Sequence, residues 1–495
     1  PGIHLVHVVP VTSVAGADAG PGDDWTVPCS GMIGGASGGP WINVQTHRIE
    51  AINSKEQDGV VVGALLGDAA ESAYRAQAFV QWPGTTTPAG GATADTLGNA
   101  SSGGSHISAD GRFITYRSNA TNLVSGDTND TDDVFVFDTQ TLRTSRVSVA
   151  NGDVQGDGMS DWPTISADGR YVAFRSAASN LVPGDTNGAD DTFVRDLVAG
   201  TTTRVSVGTA EAQGNSSVRG GPTISADGHY VAFFSYASNL VPGDTNGMSD
   251  VFVRDRQTGR TSRVSVSSAG AQANPYDHIE DDARPSISAD GRYVAFVSGA
   301  ANLTPGDTNG TDDVFVRDRQ TGRTTRASVS SAGAQTRAWS DWPSISGDGR
   351  YVAFVSAAAD LVPGDVNRTD DIFVRDLHAG STTRVSVSSA EVQSRGASSN
   401  PDISSDGRYV VFQSAGTNLV PADTNSRDDV FLRDRQAGTT SRISVTTTNG
   451  QVNGASSYPS IAPSGRYVVF SSLGTNLGPW DTNDTWDVFV RRLRA

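Results

Sequence analysis

Cysteine is nearly absent. Cys29 stands alone in 495 residues, so no internal disulfide can brace the fold, and cysteine usage assigns no redox compartment. Lysine is as scarce, with Lys55 its one example, so the basic groups are arginines. The 37 basic residues face 54 acidic ones. The resulting charge of −17 argues against nucleic acid or an anionic membrane as partner, and otherwise serves solubility. No apolar run approaches the ~20 residues that cross a bilayer as a helix, so no membrane span is expected. No basic segment followed by an apolar one opens the chain. A signal peptide is therefore not expected in it, and the start at Pro1 reads as a processed product or fragment. Within the repeated part no sustained 3.6-residue apolar period occurs, which excludes a helical solenoid.

What is present is repetition. A turn built on Asp-Gly recurs at Asp110, Asp168, Asp227, Asp290, Asp348 and Asp406, with Ser464-Gly465 in the last copy. The steps are 58, 59, 63, 58, 58 and 58 residues, a period that marks an array of one supersecondary unit. The unit at Pro285–Val329 shows its parts. PSIS and RYVAFVS flank the turn as a hairpin, DVFVRD alternates as a third strand, and TTRASV follows the turn RQTGR as a fourth. Seven such four-stranded units arranged radially make an all-β, seven-bladed β-propeller. The repeated S-x-D-G-R-Y-V-A-F followed by D-V-F-V-R-D resembles the repeat of TolB-like β-propellers over residues ~105–495. That resemblance implies a fold and little about activity.

Residues 1–80 differ. Cys29–Asn43, CSGMIGGASGGPWIN, has glycines enough for a tight loop between strands. A nucleophilic serine needs such a turn, with its hydroxyl exposed and backbone N–H groups free for an oxyanion. GASGGP at Gly35–Pro40 resembles the nucleophile loop of chymotrypsin-fold serine proteases. The segments Ile49–Ser54 and Ala64–Gly67, with Ala69–Phe79 as a closing helix, resemble the end of the second barrel in bacterial trypsin-like and glutamyl-endopeptidase-like enzymes. The resemblance implies Ser37 as nucleophile and the N–H groups of Gly35 and Ser37 as oxyanion hole. Ala36 stands where many trypsin-like enzymes have Asp, so their activating ion pair to a new N-terminus is not expected. The family's His and Asp precede the serine by most of two barrels, and 36 residues precede Ser37 here. His4 and His7 read as strand residues in IHLVHVV, and His47 follows the nucleophile. A serine without a base is a weak nucleophile, so this chain is expected to be inactive, whatever its parent does.

Residues 81–104 have the composition of a linker, and a ring-closing strand is expected there. The last copy ends after its third strand. Residues 86–110 align without gaps to 382–406, yet Pro88-Ala89-Gly90-Gly91 makes a poor strand, so Phe79–Trp82 is a rival. Within each blade the short turns fall on one face and the long loops on the other, and binding residues concentrate on long loops held by a rigid scaffold. On that face lie Trp162 and Trp342, each in S-D-W-P with Asp161 and Asp341. They read either as rim packing or as a ligand platform. The enlarged connection Asn274–Arg284 carries Asp277, His278, Glu280, Asp281 and Asp282, either a solvated acidic loop or a hold for a cation or basic peptide.

The most repeated polar pattern is D-x-N-x-x-x-D before the third strand. It comprises Asp127/Asn129/Asp133, Asp185/Asn187/Asp191, Asp244/Asn246/Asp250, Asp307/Asn309/Asp313, Asp365/Asn367/Asp371, Asp423/Asn425/Asp429 and Asp481/Asn483/Asp487. Positions one, three and seven resemble the start of a calcium loop, without the closing glutamate of an EF-hand. Asx-turns bonding the loop's own backbone explain the same residues without metal.

Three functions fit. One is a secreted or cell-surface propeller binding a protein, peptide or glycan on its long-loop face. Another is a fragment of a secreted serine endopeptidase whose propeller recruits or filters substrate. The third is a Ca²⁺-stabilised surface scaffold. The serine reading has a direct test. A fluorophosphonate probe is expected to leave Ser37 unlabelled, and labelling comparable to an active trypsin-like enzyme would mean that a base reaches it.

Overall fold

A computed structural model describes the backbone of five short strands between residues 26 and 64, and residues 84–493 apart from 85, 94–95, 275–283, 478–480 and 482. The nucleophile loop with Gly35 and Ser37, the expected closing helix at 69–79, the rival closing strand at 79–82 and the acidic loop at 277–282 lie outside the described residues. The chain divides into two units, Pro1–Gln77 and Ala78–Ala495. The first contains one antiparallel sheet with strands in the order Thr26–Val27, Val60–Ala64, Arg48–Gln57, Trp41–Asn43, Met32–Ile33. Among the described residues there is no helix, and so none long and apolar enough to cross a membrane.

The second unit is a seven-bladed propeller: seven sheets of four antiparallel strands each. Blade five illustrates the register, with strands Ser340–Ile345, Tyr351–Ser356, Asp371–Asp376 and Ser381–Arg384 running from inner to outer edge. The outer strand is shorter than its sequence suggests. It stops at the arginine, and the following Val-Ser-Val turns back into the blade, where Ser386 Oγ donates to Asp371 Oδ1 at 2.5 Å. The seventh blade is closed by Thr86–Pro88, which pairs with Phe489–Arg491. The proline is tolerated because this is an edge strand. Thr86 supplies the specific contact, since its Oγ1 donates to the Val445 carbonyl at 2.7 Å as Thr382 does to Val329 at 2.5 Å.

Alternation along the strands builds cores between blades rather than within them. Ile372, Val374 and Val385 of blade five pack with Ile403, Val410, Phe412 and Phe431 of blade six. Fully burying each such side chain is worth ~1.5–3 kcal/mol, so every interface contributes substantially. Each Asp-Gly turn is fixed by its own side chains. Ser346 Oγ donates to Asp348 Oδ1 at 2.5 Å, and the Arg350 N–H donates to the same oxygen at 2.9 Å. Backbone N–H groups then link successive turns: Ala109 to Ala167, Ala167 to Ala226, Ala226 to Ala289, Ala289 to Gly347, Gly347 to Ser405 and Ser405 to Pro463, at 2.9–3.1 Å. Pro463 has no N–H, so the series ends where blade seven meets blade one.

Gly349 is held by two constraints. Its φ is +72°, and an added Cβ would lie 2.1 Å from Cδ2 of Tyr293 in the preceding blade. Gly349→Ala is therefore expected to cost on the order of 1–3 kcal/mol. Measured by urea melts, the cost should be smaller in a Tyr293→Ala background, and an equal cost in both would remove the ring from the explanation.

Candidate functional site

In six of the seven acidic loops the carboxylates are partnered from within the chain. In blade three Arg263 Nη1 lies 3.3 Å from Asp244 and 3.1 Å from Asp250. Gln272 Nε2 donates to Asp244 at 2.9 Å, and Ser265 Oγ donates to Asp250 at 2.5 Å. Asn246 Nδ2 also donates to Asp250, and its Oδ1 accepts the Met248 N–H as an Asx-turn. The same guanidinium stands between the two aspartates in six blades, as Arg146, Arg204, Arg263, Arg326, Arg384 and Arg442.

In six of the seven loops an arginine thus lies where the calcium-loop expectation would put a cation. The first-position acids Asp127, Asp185, Asp244, Asp307, Asp365 and Asp423 each face that guanidinium. Each third-position asparagine turns its amide nitrogen, a donor, toward the seventh-position acid. Asn129 donates to Asp133 at 3.2 Å, Asn187 to Asp191 at 3.1 Å and Asn246 to Asp250 at 3.3 Å. Asn309 donates to Asp313 at 3.1 Å, Asn367 to Asp371 at 2.8 Å and Asn425 to Asp429 at 3.3 Å. The other oxygen of these acids takes a serine hydroxyl: Ser148 on Asp133, Ser206 on Asp191, Ser328 on Asp313, Ser386 on Asp371 and Ser444 on Asp429. The cation that the sequence pattern asks for is, in these blades, an arginine. Burial pushes the Asp133, Asp371 and Asp429 carboxyls up, while the neighbouring guanidinium and serine pull them down. In the closing blade, Asp481, Asn483 and Asp487 have no such arginine, because Pro88 occupies its place in the outer strand.

The expected platform residues lie in the central channel. Six inner strands carry a bulge six residues before the turn's Asp or Ser, at Gly104, Trp162, Gly221, Trp342, Asn400 and Tyr458, and in blade four Arg284 holds the same position just ahead of the strand Ser286–Ile287. Trp162, Trp342, Asn400 and Tyr458 adopt φ of 49°, 47°, 51° and 49°. This left-handed conformation costs roughly 1–2 kcal/mol for a residue with a Cβ. It turns the side chain of an inward-bulging residue toward the channel. Trp162 and Tyr458 meet edge to face at 6.5 Å and wall two adjoining cavities of about 100 and 470 Å³. Trp342 lines the smaller one and also packs against the core between blades five and six. The aspartates of S-D-W-P are engaged. Asp161 receives a two-pronged bond from Arg175 at 2.9 and 2.6 Å, and Asp341 Oδ1 accepts the Trp342 N–H at 2.5 Å.

Two residues further along each inner strand, a second ring faces the channel: His106, Thr164, Thr223, Ser286, Ser344, Asp402 and Ser460. Here lies chemistry that the sequence reading missed. Arg284 of blade four reaches across the ring, where its guanidinium lies 4.9 Å from the Trp162 ring and 3.0 Å from His106 Nε2. A guanidinium only donates, so Nε2 accepts and the imidazole proton sits on Nδ1. Nδ1 is 3.4 Å from Ser460 Oγ, which donates to Asp402 Oδ2 at 2.9 Å. Ser344 Oγ and the Ile461 N–H also donate to Asp402, each at 2.8 Å. Burial, with Arg284 beside it, lowers His106 to about 3, and burial pushes Asp402 up. A cation and an anion are thus joined through a neutral imidazole and a hydroxyl. The missed signal was positional: four residues before the turn aspartate, five copies carry Ser or Thr and two carry His106 or Asp402.

No protein-family model and no curated protein match the chain. Among solved structures, an oligogalacturonate lyase in complex with manganese superposes with a TM-score of 0.50 and 12% identity, over 83% of this chain and 98% of its own. The β-propeller domain of the Trilobed protease from Pyrococcus furiosus gives 0.45 and 9%, over 75% and 91%. A putative TolB from Agrobacterium tumefaciens gives 0.38 and 17%, over 73% and 98%. At these identities the likeness is one of fold.

The buried arginines and the channel histidine each lend themselves to a melt. Arg326→Ala leaves Asp307 and Asp313 buried beside each other and should cost about 3–5 kcal/mol in urea melts, with Arg326→Lys recovering part. For His106, an unfolded chain binds a proton below a pKa near 6.5 and the native chain does not. Stability from this group therefore falls as pH drops from about 6.5 toward 3, by up to ~1.4 kcal/mol per unit. His106→Asn should flatten that slope, and an unchanged slope would mean that the imidazole charges in place.

Proposed function

We propose that the chain is a binding module whose ligand enters the channel mouth on the long-loop face, and that the ligand is a carbohydrate. The observation that carries this reading is the ring of Trp162, Trp342 and Tyr458 in left-handed backbone around buried polar groups. Strain kept at a cavity wall, where a glycine would relieve it, is a signature of function. Sugars offer apolar faces that stack on such rings and hydroxyls that bond with groups such as Asn400, Arg117 and Asp132, which line the same cavities. The charge of −17 disfavours acidic polymers among them. The module is read as secreted or displayed at the cell surface, as its TolB-like repeats suggest.

A second reading rests on GASGGP at Gly35–Pro40: the chain derives from a serine endopeptidase, and the propeller recruits or filters its substrate. In that reading a peptide or protein occupies the channel mouth, and Ser37, with the N–H groups of Gly35 and Ser37, is the remnant of the catalytic apparatus.

The experiment is binding of the full chain to an array of neutral and acidic glycans, followed by calorimetry on the hits. Trp162→Ala and Tyr458→Ala should each weaken binding at least tenfold with unchanged melting. Retention of glycan by the Trp162→Ala/Trp342→Ala/Tyr458→Ala variant would overturn the platform. Binding of peptides and no glycan would replace this reading with the second one.

A further inference from the structure

We propose that the seam between blades seven and one holds a single Ca²⁺ ion on Asp481 and Asp487, in the place that an arginine fills in the six other blades. The proposal is independent of the channel ligand.

The seam differs from its sister sites by three substitutions acting at one point. Residues 86–98 align with 382–394, so Pro88 replaces Arg384, Gly90 replaces Ser386 and Leu97 replaces Gln393. The first two sister groups bond the acids directly in blade five, where Arg384 lies 3.1 Å from Asp365 and Ser386 donates to Asp371. The glutamine donates to the first aspartate in five other blades. All of these donors are lost together in blade seven. The backbone is unaltered there: Asn483 Nδ2 still donates to the Gly98 carbonyl at 2.7 Å, as Asn367 does to Ser394 at 3.0 Å.

What remains is two carboxylates out of water. Asp487 is 0% exposed and Asp481 7%, and none of their four oxygens receives a well-formed hydrogen bond from the described residues, the Asn483 amide offering Asp487 only a weak donor. Two adjacent buried acids short of donors are costly unless a cation joins them. The sister blades supply the second observation, because six times over this pocket closes around a positive group. The protein donors here are the two carboxylates, since the Asn483 amide keeps its sisters' orientation, nitrogen on the Gly98 carbonyl and oxygen on the Thr485 N–H. An all-oxygen set on a loop suits Ca²⁺, which takes six to eight oxygens in variable geometry, with carbonyls and water completing the shell. Such an ion would fasten the last strand of the chain, Asp487–Arg492, at the point where Thr86–Pro88 completes the sheet.

The test uses the full chain, stripped with EDTA and dialysed against Ca²⁺. One ion per chain is expected, with a melting temperature about 3 °C or more above that in EDTA. Asp487→Asn should abolish both. Because that variant can also fail to fold, a second one restores the sister residues: Pro88→Arg/Gly90→Ser/Leu97→Gln. A serine fits at position 90, where a Cβ would meet Val488 N at 3.4 Å and Ser102 Cβ at 3.6 Å. The restored chain should bind no Ca²⁺ and melt in EDTA near the Ca²⁺-loaded parent. Absence of bound Ca²⁺ in the parent, about seven ions per chain, or an ion retained by either variant would each overturn the proposal. A melt that ignores Ca²⁺ but rises on mild acidification would assign the site to a shared proton instead.

Discussion

A buried guanidinium held between two aspartates is the contact on which six of the seven blades depend. It joins the end of the outer strand to the loop that starts the third strand, and so fixes the blade edge least supported by apolar packing. Desolvating three charged groups is expensive, and the arrangement is tolerable because serine, asparagine and glutamine satisfy the oxygens that the arginine leaves. Lysine has no planar fork with which to face two carboxylates, and the chain holds one lysine against many arginines. The composition thus follows from a local geometric need repeated around the ring.

The repeat made the architecture legible. Asp-Gly spacing, alternation in YVAFVS and DVFVRD, and the seven-fold count follow from turn chemistry and strand periodicity, which act locally. The length of the outer strand was less legible. In Thr382–Val387 alternation continues past Arg384, but Ser386 Oγ binds Asp371 and pulls the chain out of the ladder. Closure by Thr86–Pro88 was hidden for a similar reason: propensity condemns Pro88, while the decisive group is the Thr86 hydroxyl on the Val445 carbonyl.

The candidate site was half legible. Trp162 and Trp342 stand out in any reading, as large residues before proline. His106, Arg284, Asp402 and Ser460 do not, because they lie up to 354 residues apart and meet only when the ring closes. Arg284 crosses the channel from blade four to blade one, a contact no local pattern encodes. The acidic loops show the opposite limit. Their pattern announces positive charge correctly, but only tertiary structure tells an arginine from an ion. Asn187 and Asp191, for example, read as ligands in the sequence and turn out to bond each other, with Arg204 supplying the charge.

The odd features of the seam bear on how a chain of near-copies avoids folding errors. The closing strand Thr86–Pro88 meets third strands that all read much like DVFVRD, so mispairing with the wrong blade is the natural mistake. Docking on blades one to six, however, would evict an outer strand together with its arginine and strand two aspartates in the core. Blade seven alone has no arginine to lose. A ring mispaired in this way would hold two further buried aspartates without their arginine, a cost that pairing at blade seven does not add.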